Sequence, residues 1–414
     1  MNYLELNINL SKEDIMLKKA AHEFARDVMR PVSQEMDRMT AAEAVAPGSP
    51  FWEFKKKAYE LDLHTILIPD SYGGMGLTPL QLHLVIEELA WGSVGLTIDL
   101  VVAAFPAYLA SMVPDDEIVE NIIKPFCDCR DGKIAGCWAI TEPMHGSDTL
   151  LPNYPSFRNP DIPADCIATP DGDHYVINGQ KAAWVSGAPY ASHAALFCQI
   201  DPSMGHAGGG IIIVPLDLPG VKRGAPLEKL GQRDDPQGEL YFDNVRAPAN
   251  YLVAGPEAYE VMLEIVLSAT TVLMGTCATG IGRAAFDEAL EYAKNRVQCG
   301  KALIEHQDVQ KKLFQMFSKV EMTRQLTRSV LEYNQNTSTP AEEYSVIGKV
   351  FGCQYAFEIT NDAVQIFGGN GLTKEYIVEK LFRDARAMLI EDGSNDVLAI
   401  AAGHKVIHNY PRQD

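Results

Sequence analysis

The chain has 414 residues, 47% hydrophobic and 22% charged, with a net charge of -20 at pH 7. That length allows two or three domains around a large core. The acidity argues against a nucleic-acid-binding face, which needs basic residues, and against docking on anionic membranes.

The opening segment MNYLELNINLSKED has no basic region followed by an apolar stretch, so no secretory signal is expected and the chain reads as cytoplasmic. Ser11-Lys-Glu-Asp14 reads as a capping box, and residues 12–112 then follow the helical period. Pro69-Asp-Ser-Tyr-Gly-Gly-Met-Gly76 interrupts it. Leu100 to Val113, a nearly apolar run, contains a proline and is too short to span a bilayer. The eight cysteines are scattered, without zinc-ligand spacing, and read as reduced thiols. From about 135 the period changes. Residues 174–180, 194–200, 210–215 and 238–243 read as short strands, and the Pro-, Asn- and Asp-rich segment 149–172 as a long surface loop. From 256 the helical period returns. The predicted fold is mainly α with a central β domain, divided as 1–134, 135–250 and 251–414, and no internal repeat is visible.

Two runs near the C-terminus carry the most chemistry. Gln365-Ile-Phe-Gly-Gly-Asn-Gly371 is a glycine-rich turn suited to close backbone approach to a phosphate-bearing cofactor. About 20 residues on, in what reads as the same helical stretch, Leu389-Ile-Glu-Asp-Gly-Ser-Asn-Asp396 sets paired carboxylates beside a Gly-Ser turn, a place for a base. Trp138-Ala-Ile-Thr-Glu-Pro-Met-His-Gly-Ser-Asp148 ends in a turn that offers N–H groups and a hydroxyl to an anion. Gly179-Gln-Lys-Ala-Ala-Trp-Val-Ser186 carries a tryptophan that alone would read as core. Arg296-Val-Gln-Cys-Gly-Lys-Ala-Leu-Ile-Glu-His-Gln307 opens on an arginine, whose planar fork suits a pyrophosphate.

These motifs, in this order and over essentially the whole chain, resemble the acyl-CoA dehydrogenases, a family of FAD flavoproteins. The resemblance implies an N-terminal helical domain, a middle β-barrel-like domain and a C-terminal helical bundle. It implies an oxidoreductase that takes an α-proton from a CoA thioester while a β-hydride passes to flavin N5. An electron-transferring flavoprotein as electron acceptor and a homotetramer or homodimer follow from it too. Carried over by position, Trp138, Ile140, Thr141 and Gly146 would border the flavin, and Ser147 a flavin phosphate or the CoA. Trp184 and Ser186 would stand against the flavin, with one extra residue after Lys181. Arg296 and Gln307 would reach the FAD of a neighbouring subunit, although Cys299 and His306 replace the usual phenylalanines. Gln365, Gly368 and Gly369 would line the FAD diphosphate or adenine of the partner subunit. Leu372, on the substrate side, replaces a common tyrosine. The base-bearing turn would set Glu391, Asp392 and Gly393 towards substrate, and Ser394 and Asp396 towards the cofactor.

The family's usual glutamate base falls on Asp392, and an alternative glutamate position on an earlier helix falls on Thr270. Thr271 replaces a frequent arginine. Aspartate is one methylene shorter, roughly 1 Å, and such a misplacement costs about 100-fold. A second carboxylate, Asp99, interrupts Gly95-Leu-Thr-Ile-Asp-Leu-Val-Val-Ala-Ala-Phe105. A carboxylate in so apolar a run is either desolvated, as bases are, or sits on the helix's wet side or beside a basic residue. The resemblance sets that helix past the acyl end of the substrate cavity. A missing glutamate together with Asp99 resembles the dehydrogenases of cyclohex-1-ene-1-carbonyl-CoA, in alicyclic or aromatic compound degradation. There Asp99 would take a γ-proton in a 1,4-elimination. Three alternatives stand beside it: a 2,3-dehydrogenase of a linear or branched acyl-CoA using Asp392, an inactive flavin- or CoA-binding scaffold, and an acyl-CoA oxidase of related fold.

Overall fold

Ser11 caps the first helix, Lys12–Phe24, in a reciprocal capping box with Asp14, as its sequence predicts. The computed structural model that shows this describes residues 5–410, apart from Pro114 and Asn153. Thr78 and Gln81 close a second capping box on the helix Pro79–Gly92. Ser93 then accepts the Leu96 N–H and starts the helix Val94–Ala103, which carries Asp99. The break at Pro69–Gly76 is a turn around a short 3-10 segment, Asp70–Tyr72.

The middle of the chain is one mixed sheet of eight strands: β1 Gly136–Ala139, β2 Ile167–Asp171, β3 His174–Ser186, β4 His193–Gln199, β5 Gly209–Pro215, β6 Val221–Arg223, β7 Gln237–Pro248 and β8 Leu252–Ala254. Their order is β6-β7-β3-β2-β4-β5-β8, with β1 laid parallel on β4. The four predicted strands are β3, β4, β5 and β7. The four missed ones span three to five residues, too few for a period-2 signal. β2 falls inside the segment expected to be loop, which also holds the 3-10 turn Pro155–Arg158 and the end of another, Ser147–Leu150. β3 loses register with β7 between Lys181 and Val185, at the point of the extra residue after Lys181.

Three long helices, Tyr259–Asn295, Gln307–Asn336 and Glu342–Phe367, form the C-terminal bundle. The first is long and apolar enough to cross a membrane, but 72% of its apolar window is buried inside the protein. A Cβ on Gly275 would lie 2.6 Å from the Gly348 carbonyl oxygen, so the first and third helices touch backbone to backbone. Phe367 leads into the 3-10 turn Gly368–Leu372, then the helix Val378–Ala387, then the turn that holds Asp392, then the last helix, Asn395–Asn409. The glycine turn and the paired carboxylates therefore do not share one helical stretch, as the sequence suggested; two turns and a helix separate them. All eight cysteines are free, and Cys299 alone among them is exposed.

Candidate active site

Where the sheet meets the C-terminal bundle, a cavity of about 640 Å³ opens. β1 and its following loop supply Trp138, Ile140, Thr141, Gly146 and Ser147, and the end of β3 supplies Trp184 and Ser186. The long helix contributes Thr270, Thr271 and Met274, and the turn before the last helix contributes Glu391, Asp392 and Gly393. Seven of the residues expected at the flavin thus come together on one wall. Trp184 is 60% exposed, and the buried indole N–H of Trp138 has no partner among the described residues. An open indole face and a free N–H donor fit a flat aromatic ring with hydrogen-bonding edges. This is the chemistry of a flavin.

Buried Lys181 fastens this wall. Its Nζ donates to Glu142 Oε1 at 2.6 Å and to the Ile140 carbonyl at 3.0 Å, joining β3 to the loop after β1. Ser186 donates to Asp235 Oδ2 at 2.8 Å and accepts from Gln237 Nε2 at 3.0 Å.

The base-bearing turn needs left-handed backbone at two successive residues, Asp392 (φ 52°) and Gly393 (φ 90°). A Cβ on residue 393 would meet Leu398 and Leu150 at 2.9 and 3.0 Å, so glycine is required there. Lys349, fully buried, donates to the Gly393 carbonyl and to Asn395 Oδ1, both at 2.7 Å. The Ser394 N–H donates to Ser147 Oγ at 2.9 Å and ties the turn to the β1 loop.

Asp392 stands on the cavity wall, with its side chain open to water through the cavity. The surrounding protein pushes its pKa up to about 6, against the pull of the Lys349 charge. Burial pushes Glu391 further, to about 8; a 2.5 Å hydrogen bond from Gln232 Nε2 opposes the rise, and the Asp392 charge adds to it. At neutral pH this turn holds an ionised carboxylate beside a neutral carboxylic acid, an arrangement that can supply a base.

Asp99 is elsewhere. Its Oδ2 is 3.0 Å from Lys55 Nζ, and Tyr190 donates its hydroxyl to the other oxygen. Both ionic side chains are fully buried, and Asp99 is not on the cavity wall, although Ile98 and Val102 of the same helix are. The expectation of a free base there is corrected: the apolar run does desolvate Asp99, but the fold answers with a cation and a phenol. Leu372 is corrected as well, since it is 77% exposed on the 368–372 turn and away from the cavity lining. Asp396 is exposed on the first turn of the last helix, also off the cavity.

Arg296, Gln307, Gln365, Gly368 and Gly369 are exposed, and none lines the cavity of its own chain. Arg296 and the glycine turn share one end of the bundle. Arg296 follows the helix of Tyr292, whose ring stacks on Phe367 at 3.9 Å and whose hydroxyl accepts from Asn370. Among the described residues, no atom beyond the chain neighbours lies within 4 Å of where a Cβ on Gly368 or Gly369 would stand, leaving bare backbone for a ligand.

Sequence reasoning missed Lys349, Gln232 and Asp235. Lys349 had the signal that marked Asp99, a charge inside an apolar run, Val346-Ile-Gly-Lys-Val-Phe-Gly-Cys353. Gln232 and Asp235 sit in the polar run Gln232-Arg-Asp-Asp-Pro236, which carries no apolar spacing to mark it, yet both are buried.

Models of the N-terminal, middle and C-terminal domains of acyl-CoA dehydrogenases match residues 11–115, 137–245 and 259–406. The chain belongs to the acyl-CoA dehydrogenase family. It is 29% identical to a probable acyl-CoA dehydrogenase of Bacillus subtilis, over 97% of this chain and 100% of that one. Identity to the cyclohex-1-ene-1-carbonyl-CoA dehydrogenase of Geobacter metallireducens is also 29%, over 90% and 96% of the two chains. The butyryl-CoA dehydrogenase structure from Megasphaera elsdenii superposes with a TM-score of 0.85 at 26% identity, covering 97% of this chain and 100% of that one. This acyl-CoA dehydrogenase is accordingly an FAD-dependent oxidoreductase acting on CH–CH groups of acyl-CoA. The helical, sheet and helical regions implied by its motifs are all present.

Proposed function

We propose that this enzyme dehydrogenates a compact acyl-CoA, short, branched or alicyclic, across C2–C3, with Asp392 taking the α-proton. The observation that carries the reading is the Asp392 carboxylate on the cavity wall. With a pKa of about 6 it is ionised at pH 7, yet more basic than an aspartate free in water. An acyl group filling the cavity expels the water that reaches Asp392, which strengthens its pull on the proton. Glu391 stays neutral and adds no repulsion. When bound, FAD supplies the two-electron acceptor for the β-hydrogen. Ile98, Val102, Leu267 and Met274 give the cavity an apolar lining suited to a compact hydrocarbon. The named activity of the Geobacter relative supports a ring as one such group. The 1,4-elimination does not belong to this reading, because Asp99 is held by Lys55 and Tyr190. Electrons leave to an electron-transferring flavoprotein.

Anaerobic stopped-flow flavin reduction across linear, branched and cyclic acyl-CoAs tests the reading. Wild-type protein bleaches with compact saturated thioesters. Asp392→Asn slows bleaching by at least about 100-fold while acyl-CoA still binds. Near-wild-type bleaching by Asp392→Asn overturns the assignment. Bleaching confined to cyclohex-1-ene-1-carbonyl-CoA and lost in Asp99→Asn would instead establish γ-proton removal.

A further inference from the structure

The loop that follows β1 carries His145 and Asp148 on either side of Gly146 and Ser147, which line the cavity. A third side chain joins them from the 3-10 segment Pro202–Gly208, between β4 and β5. There Gly205 turns the chain with a φ of 62°, and a Cβ on it would lie 2.4 Å from the Asn159 carbonyl oxygen, so glycine is needed to present His206.

The three groups converge. His145 Nδ1 is 2.8 Å and His206 Nε2 is 3.6 Å from the same oxygen, Asp148 Oδ2. One ligand-capable atom from each lies within 4.8 Å of the other two. The imidazoles meet edge to face, with centroids 4.8 Å apart. His206 is 4% exposed, and its Nε2 has no hydrogen-bond partner among the described residues. A buried polar nitrogen left without a partner costs about 1–3 kcal/mol. The 3.6 Å gap to Asp148 is too long for a hydrogen bond. It suits two ligands of one ion: bonds of about 2.0–2.1 Å in a tetrahedron set ligand atoms about 3.3 Å apart. The observed separations of 2.8 and 3.6 Å straddle that value.

We propose that His145, Asp148 and His206 bind a divalent transition-metal cation, with Zn²⁺ the expected ion. Two imidazoles and a carboxylate favour it over Mg²⁺ or Ca²⁺, which take oxygen ligands. Three protein ligands leave a fourth position for water. The Gly146 N–H donates to Asp148 Oδ1 at 2.6 Å and orients the carboxylate from behind. Nearby Glu142 is already engaged, by Lys181 Nζ at 2.6 Å and by the N–H groups of Asp165 and Cys166. It does not compete for the ion. The cation fastens the cavity-wall loop to the β4–β5 connection. Ser147 sits within that loop and holds the Ser394 N–H, so the clamp ends one hydrogen bond from the base-bearing turn.

The test is calorimetric titration of tag-free holoprotein with ZnCl₂, together with metal analysis after dialysis and zinc-edge X-ray absorption. One zinc per chain is expected, with nitrogen and oxygen neighbours at about 2.0–2.1 Å and an imidazole signature. A tenfold excess of MgCl₂ should not displace it. Losing a residue that only orients a ligand weakens metal binding about 10–100-fold, so His206→Gln and Asp148→Asn should each weaken it by at least about 100-fold. Zinc should raise Tm in the wild type and leave it unchanged in His206→Gln. Should Asp148→Asn lose its flavin through loss of the Gly146 contact, His206→Gln still decides, because His206 makes no such contact. Zinc taken up equally by His206→Gln, or no stoichiometric uptake by the wild type, overturns the site.

Discussion

Glu391 and Asp392 are neighbours in the chain but reach opposite protonation states at pH 7, because Asp392 feels the Lys349 charge whereas Glu391 is more deeply desolvated and feels Asp392. The pH profile follows. Catalysis needs Asp392 ionised, so kcat/KM should rise as pH passes about 6. Above about 8, Glu391 ionises and sets a second negative charge beside the reacting carbons, so the rate should fall. Glu391→Gln should remove the alkaline fall and keep the acid limb; an unchanged bell in this variant would refute the assignment. Lys349→Met takes away the charge that holds the Asp392 pKa down, so the acid limb should move to higher pH. It also frees the Gly393 carbonyl, so kcat should drop by about 10-fold or more while KM changes little. Asp392 stood out in the sequence because the glutamate base of the family it resembles falls there, beside a Gly-Ser turn. Asp99 stood out only by its apolar run and turned out to be paired, since an apolar run reports desolvation but not what the fold brings opposite.

At the scale of elements, the extra residue after Lys181 was readable and its consequence is the irregularity between Lys181 and Val185 in β3. Side chains on a strand alternate between faces, so the bulge decides whether Trp184 and Ser186 face the cavity. Deleting Ala183 should turn both away, and the purified protein should lose its flavin colour while its circular dichroism stays close to wild type. A yellow deletion variant would show that the bulge does not set the register. Other element-level features left no trace in the sequence. Glu87 and Glu88 on the helix Pro79–Gly92 are buried against Arg283, and Arg324 reaches Glu87 at 2.8 Å, although these residues are about two hundred positions apart in the chain. Periodicity assigned the helices but could not show that acidic residues on one would meet arginines on two others. Removing one partner leaves buried charge uncompensated, so Glu87→Gln should cost ~3–5 kcal/mol, read as a lower urea midpoint.

At the scale of the whole molecule, the residues that the resemblance matches to the FAD diphosphate stand on the outside of the chain, away from the cavity whose wall fits a flavin ring. Arg296, Gln307 and the bare Gly368–Gly369 backbone line no part of it. The same bundle exposes apolar side chains on one helix face, Tyr344, Ile347 and Phe351, the last 51% exposed, and Ile400 and Ile407 on the helix that follows the base turn. Spacings of three, four and seven residues put each set on a single stripe, which asks for a covering surface. A second copy of the chain would cover it and bring its Arg296 end to this cavity. The protein should therefore run as a dimer or larger. Phe351→Glu should yield monomers that are also colourless. Arg296→Ala should keep the oligomer but weaken FAD by roughly 10–100-fold, the worth of a charge-assisted contact of about 1.5–3 kcal/mol. Light scattering read beside flavin absorbance separates the two variants. A monomeric wild type that keeps its FAD, or a Phe351→Glu monomer that stays fully yellow, would place the whole cofactor site within one chain.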